Sequence, residues 1–216
     1  MTRATDRPRT QARNAGPNLG LIGGVLGIVV VIAILAVALS GGGDDQPTEG
    51  EYGTVEVEGA ALAPLTGSGA DLAAGQDAPS LSSVAADGTT ITIDPSQEGR
   101  PVVLFFLAHW CPHCQAELPL LVALQDQGAF DEVRAVAVLT GTTPSRPNFP
   151  PSTWLDDEGW AGDRFFDDED SSAASAFGLT SFPFAVFIDR DGAVAGRVSG
   201  EIPPEQIAGI LEELTS

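Results

Sequence analysis

Lysine is absent from the 216-residue chain, whose ten basic side chains are all arginine. Thirty acidic residues give a net charge of −20, which excludes a surface built to neutralise nucleic-acid phosphates. Cysteine and histidine occur twice each, too few for a disulfide-stapled mini-domain or a multi-ligand zinc framework. Extended disorder is excluded by a hydrophobic content of 43%. The length leaves room for one globular domain of about 140 residues with appendages.

The chain contains one long hydrophobic run. Leu19 to Leu39 carries no charged or polar side chain, and at about 1.5 Å per residue it spans roughly 31 Å, the thickness of a hydrocarbon core. A basic head precedes it, with Arg3, Arg7, Arg9 and Arg13 against one aspartate, and a Gly/Asp-rich stretch follows. The pattern predicts an uncleaved signal anchor. A cleaved signal peptide ending near Ala36-Val37-Ala38 is its rival, and no cysteine follows to accept a lipid. Arginine on the near side places residues 1–18 in the cytoplasm and the C-terminal part outside it, in a single-pass cell-membrane protein. The acidic excess of the outer part is a solvated surface. Residues 40–75 read as a flexible linker, with partial order expected over 54–75 around a strand-like piece at Thr54 to Glu58, and a folded domain is expected over 76–216.

From Gln76 on, strand and helix patterns alternate. Leu81 to Val84 and Thr89 to Ile93 flank Asp87-Gly88, a hairpin signal. Pro101 to Ala108 is apolar throughout, as in a strand buried on both faces. A helix is predicted over Cys111 to Gln127 with a kink at Pro119, and a second buried strand over Val133 to Leu139. Pro151 to Glu158 and Ser171 to Phe177 are helical, with a short strand at Arg164 to Phe166 between them. A second hairpin joins Phe184–Asp189 to Ala193–Ser199 across Arg190-Asp191-Gly192, and Pro204 to Leu214 is an amphipathic helix. The order predicts an α/β fold, a central mixed β-sheet flanked by helices on both faces.

Both cysteines sit in His109-Trp110-Cys111-Pro112-His113-Cys114, directly after the apolar strand and at the start of a helix. Residues three apart in a first helical turn lie within disulfide range. So small a ring adds little stability by loop entropy, which argues for redox use rather than a staple. Cys111, at the helix N-terminus, is favoured as a thiolate and is the candidate nucleophile. Cys114, one turn in, would resolve the mixed disulfide. His113 can support the Cys111 thiolate, and Pro112 suits an early helical position. His109, His113 and the two cysteines are four conceivable metal ligands, but they crowd into six residues with no distant ligand to close a tetrahedron. Gln115 stands where haem attachment needs histidine.

Trp110-Cys111-Pro112-His113-Cys114, followed by Glu117 and Pro119, resembles the thioredoxin superfamily. The stretch from Gly178 to Asp189 resembles its membrane-anchored TlpA-like branch. The resemblance covers about residues 76–214 and implies a thioredoxin-like fold. It further implies a cis Pro183 packed against the cysteine pair, and a Phe182 backbone that receives an extended substrate segment by strand addition. With Trp110 and Pro112 beside the thiols, these residues complete the implied substrate-facing set. The aspartate that thioredoxins proper place six residues before the first cysteine is replaced by Phe105. Glu117 is either its substitute as a proton relay or an exposed helix-face glutamate. The Pro-His dipeptide is similar to the oxidising DsbA type, whereas the frame is similar to TlpA-type reductases, so the direction of electron flow stays open. Thr140 to Trp160, rich in proline and aromatics, either shapes a rim near the site or is a stiff connector.

The expected activity is thiol-disulfide exchange with protein thiols and disulfides outside the cytoplasm, through a Cys111–Cys114 cycle. It needs no metal or organic cofactor and implies a redox partner in the membrane. A copper-handling assembly factor and a non-catalytic binding module are the alternatives.

Overall fold

The computed structural model describes residues 51–67, 70–84 and 88–216. The tail 1–18, the apolar run 19–39 and the first part of the expected linker lie outside the described residues. So does Asp87 of the first hairpin turn. Among the described residues no helix is long and apolar enough to cross a membrane.

The described residues form eight strands and four helices in the order β1 (Thr54–Glu58), β2 (Ser80–Val84), β3 (Thr90–Ile93), β4 (Val102–Leu107), α1 (Pro112–Asp126), β5 (Arg134–Leu139), α2 (Pro151–Glu158), β6 (Asp163–Phe166), α3 (Ser172–Ala176), β7 (Phe184–Ile188), β8 (Val194–Ser199) and α4 (Pro204–Thr215). The central sheet has the order β6-β5-β4-β7-β8. Its β4, β5 and β6 run parallel, β7 pairs antiparallel with β4, and β8 pairs antiparallel with β7. A separate antiparallel sheet has the order β1-β2-β3.

Strand β4 is central because it is apolar on both faces, and all six of its residues are buried. Val103, Phe105 and Leu107 join a core with Leu118 of α1, Trp154 of α2 and Ile207 and Leu211 of α4. Val102, Leu104 and Phe106 point the other way, into a core with Leu81 of β2, Ile93 of β3 and Ala173 and Ala176 of α3. Each fully buried valine, leucine, isoleucine or phenylalanine among them contributes about 1.5–3 kcal/mol. Helices α1, α2 and α4 each begin on a proline, whose missing N–H costs nothing at that position. Helix α1 continues through Pro119, the site of the expected kink.

Described residues of the linker expected through residue 75 take part in the fold from residue 51 onward. β1 pairs with β2 over Thr54↔Val84 to Glu58↔Ser80. The buried Glu51 carboxylate accepts the Ser152 amide and hydroxyl at the start of α2. Arg197 of β8, its side chain 1% exposed, binds Asp71 with both Nε and Nη2 and donates to the Ala63 and Phe177 carbonyls. These partners lie up to 134 residues away in sequence, so no local pattern announces them.

Candidate functional site

The site lies where β4 ends and α1 begins. Ala108 C=O accepts the Cys111 N–H at 2.9 Å, and Cys111 becomes the N-cap of α1 with Pro112 following. The first turn of α1 holds no acidic residue, so none of its own carboxylates competes for the positive end of the helix dipole beside Cys111. Both thiols are free. Cys111 is 6% exposed and Cys114 not at all, so an incoming sulfur can meet only Cys111. Burial pushes the Cys114 thiol up, and the neighbouring Cys111 and the Glu117 carboxylate push it the same way, against the Ala108 N–H that its sulfur accepts at 3.5 Å. Cys114 therefore holds its proton until something takes it.

Glu117 is not an exposed helix-face residue; only 2% of it is exposed. Its Oε1 accepts the Ile202 N–H at 3.0 Å. Burial, with a smaller push from Glu201, raises its carboxyl from 4.5 to about 7, in spite of that hydrogen bond. A carboxyl poised there can accept a thiol proton near neutral pH.

Pro112 and His113 are exposed on the turn. The His113 Nδ1 lies 2.5 Å from Glu201 Oε1, in an open pair whose side chains are 68% and 48% exposed. Glu201 and Ile202 are neighbours, so one loop holds both His113 and Glu117.

The Phe182–Pro183 peptide is cis. Phe106 pairs with Phe184, which sets this peptide just past the end of β4, where the cysteine turn departs. Among the described residues the Phe182 N–H and C=O make no hydrogen bond, leaving both free for an added strand. The Phe182 ring meets Trp110 edge-on at 6.0 Å. Trp110 donates its indole N–H to Gly141 C=O at 2.8 Å, and the Arg146 guanidinium stacks over its ring at 5.0 Å. The Thr140–Pro150 segment is thus brought to the rim, whereas the side chains of Trp154 and Trp160 belong to the core. Sequence reasoning missed Glu201, Arg146 and the bonding role of His109. The position of His109 beside the cysteine turn was the one available signal.

A parallel β-α-β unit, an antiparallel hairpin and a helix-capping cysteine pair beside a cis proline define a thioredoxin-like domain with a dithiol site. The chain belongs to the redoxin family, whose sequence profile, described as Redoxin, matches residues 73–213. It is similar to the thiol-disulfide oxidoreductase ResA of Bacillus thuringiensis (strain Al Hakam), 24% identical over 141 residues, covering 65% of this chain and 78% of ResA. It is 28% identical over 126 residues to the thiol:disulfide interchange protein DsbE of Pasteurella multocida (strain Pm70), covering 56% of this chain and 65% of DsbE. Among solved structures it resembles MTB dsbF, in mixed oxidized and reduced forms, with 28% identity and a TM-score of 0.50 over 60% of this chain and 90% of that one.

Proposed function

We propose that this chain is a membrane-anchored, extracytoplasmic thiol-disulfide oxidoreductase that acts on proteins through Cys111 and Cys114. The observation that carries the reading is the asymmetry of the pair. Cys111 caps a helix and keeps 6% of its surface open, and Cys114 is fully buried beside a carboxyl poised near 7.

In the reducing direction the Cys111 thiolate attacks one sulfur of a partner disulfide. An S–S bond forms between Cys111 and the partner, and the partner's second sulfur leaves as a thiolate. Glu117 takes the Cys114 proton. The Cys114 thiolate then attacks the Cys111 sulfur, the Cys111–Cys114 disulfide forms, and the partner leaves with its disulfide reduced by two electrons. Run backwards, the same steps oxidise a partner dithiol. Phe182 offers its free backbone groups to the partner's segment, and Trp110 and Pro112 line the approach. His113, two residues after Cys111, lies within hydrogen-bond distance of Glu201 and can support the Cys111 thiolate. The cycle uses the two sulfurs alone and calls on no metal or organic cofactor. A redox partner in the membrane would restore the starting state.

The apolar run Leu19 to Leu39 and its arginine-rich flank support the anchor and its orientation. Protease added to intact cells should then digest the domain; protection until lysis would contradict that orientation. For the chemistry, Cys114→Ser should accumulate mixed disulfides with partner proteins and Cys111→Ser none. Equal trapping by the two variants would overturn the assignment of roles. A midpoint potential near −270 mV, about that of thioredoxin, marks a reductase, and one near about −120 mV an oxidant.

A further inference from the structure

His109 precedes the cysteine turn and takes no part in the steps above. It is 1% exposed, and both of its ring nitrogens engage the Thr140–Pro150 loop. Nδ1 lies 2.6 Å from the Pro147 carbonyl, which can only accept, so Nδ1 carries the proton. Nε2 lies 3.1 Å from the Thr143 N–H, which can only donate, so Nε2 offers its lone pair. Together the two bonds specify one neutral tautomer. The His109 carbonyl accepts the Asn148 side-chain amide at 3.1 Å and the Gln115 amide at 2.9 Å. Asn148 is left-handed, with φ 59°, a conformation asparagine tolerates better than most residues. Phe149 meets the imidazole edge-on at 6.0 Å. The loop held this way supplies the Gly141 carbonyl and the Arg146 guanidinium that fix Trp110.

We propose that His109 is a positioning residue: as a neutral imidazole it holds the Thr140–Pro150 loop against the cysteine turn, so that loop, Trp110 and Phe182 form the wall on which a protein partner's disulfide-bearing segment is seated. The inference rests on the oxidoreductase reading and adds how that site recognises a protein rather than a small disulfide.

Protonation would place a second N–H opposite the Thr143 N–H and release the loop. Burial holds the ring below the ordinary histidine range and outweighs Pro147 and Glu51, which favour the charged form. The other ionisable groups on the elements packed here are Arg146 on the loop, Cys111 on the turn and Tyr52, whose hydroxyl bonds the Thr142 carbonyl. Helix α1 reaches His109 through the uncharged Gln115. Because the folded pKa is depressed, the pinned loop is intact above about pH 6.5 and loosens as pH falls.

The test uses the full chain, with insulin as protein disulfide and oxidised glutathione as small disulfide. His109→Ala should lower the ratio of the two kcat/KM values about tenfold and speed amide exchange in residues 140–150 by a similar factor. His109→Gln keeps an acceptor for Thr143 without titrating. It should hold the ratio within about threefold of wild type and abolish the fall that wild type shows as pH drops below about 6.5. If His109→Ala does not fold, that pH comparison carries the test alone. Equal losses against both disulfides, or an unchanged ratio and amide exchange in His109→Ala, would overturn the role of His109. So would a wild-type ratio that is flat with pH. A wild type that neither reduces these disulfides nor oxidises the corresponding dithiols would instead overturn the oxidoreductase reading itself, and the seating role with it.

Discussion

Replacing Glu117 by glutamine should make the protein more stable at neutral pH and slower at its chemistry. The carboxyl is raised from 4.5 to about 7, chiefly by burial and then by Glu201, against the Ile202 N–H. At about 1.4 kcal/mol per pKa unit, that difference amounts to about 3 kcal/mol. The folded state binds this proton more tightly than the unfolded state, so the stabilisation is complete below about pH 4.5 and is lost as pH rises through about 7. Glutamine keeps an oxygen for Ile202 N–H and never ionises. Urea unfolding should therefore give similar stabilities near pH 4.5, with the variant ahead by up to about 3 kcal/mol at pH 8, less what its new amide loses by lacking an acceptor. In the same variant Cys114 has no base, and release of a trapped mixed disulfide should slow at least about a hundredfold. Acid-quenched time courses read that lifetime. A variant whose stability follows the wild-type pH curve, or one that resolves mixed disulfides at the wild-type rate, would refute the reasoning.

Two further substitutions test the fold around the site. Arg197→Ala leaves Asp71 without its buried partner and should cost about 3–5 kcal/mol in urea unfolding. Because the Arg197 guanidinium holds Asp71 below the usual carboxylate range, that stabilisation should be present above about pH 4 and lost as pH falls further, a step absent from the variant. Gly178→Ala should destabilise by about 1–3 kcal/mol, since φ is +69° and the added Cβ would stand 2.5 Å from the Ala63 carbonyl oxygen. An alanine variant as stable as wild type would show that this close approach relaxes freely.

The features that could be read from the sequence are those carried by neighbouring residues. The unbroken apolar run marks β4, the three-residue cysteine spacing marks the start of α1, and the Gly192 turn marks the β7–β8 hairpin. Pro151 and Gly159 bound α2 because one suits a first helical turn and the other a left-handed C-cap, with φ 86°. What the pattern does not contain is pairing across long sequence distances. Arg197 with Asp71, Glu51 with Ser152 and Glu201 with His113 join residues 126, 101 and 88 positions apart. The packed stretch from residue 51 reads as linker for this reason, since its Gly, Ala and Pro content hides partners that only the fold supplies. Glu117 was ambiguous for a related cause: whether a helical glutamate is buried depends on Ile202 arriving from the far end of the chain.

Redox equilibration of the full chain against graded dithiothreitol buffers, with the fraction of linked cysteines read by mass after alkylation, tests the central claim most directly. The account predicts one transition to a Cys111–Cys114 disulfide with a two-electron slope of about 30 mV per decade. Cysteines that stay unlinked at every potential would contradict it.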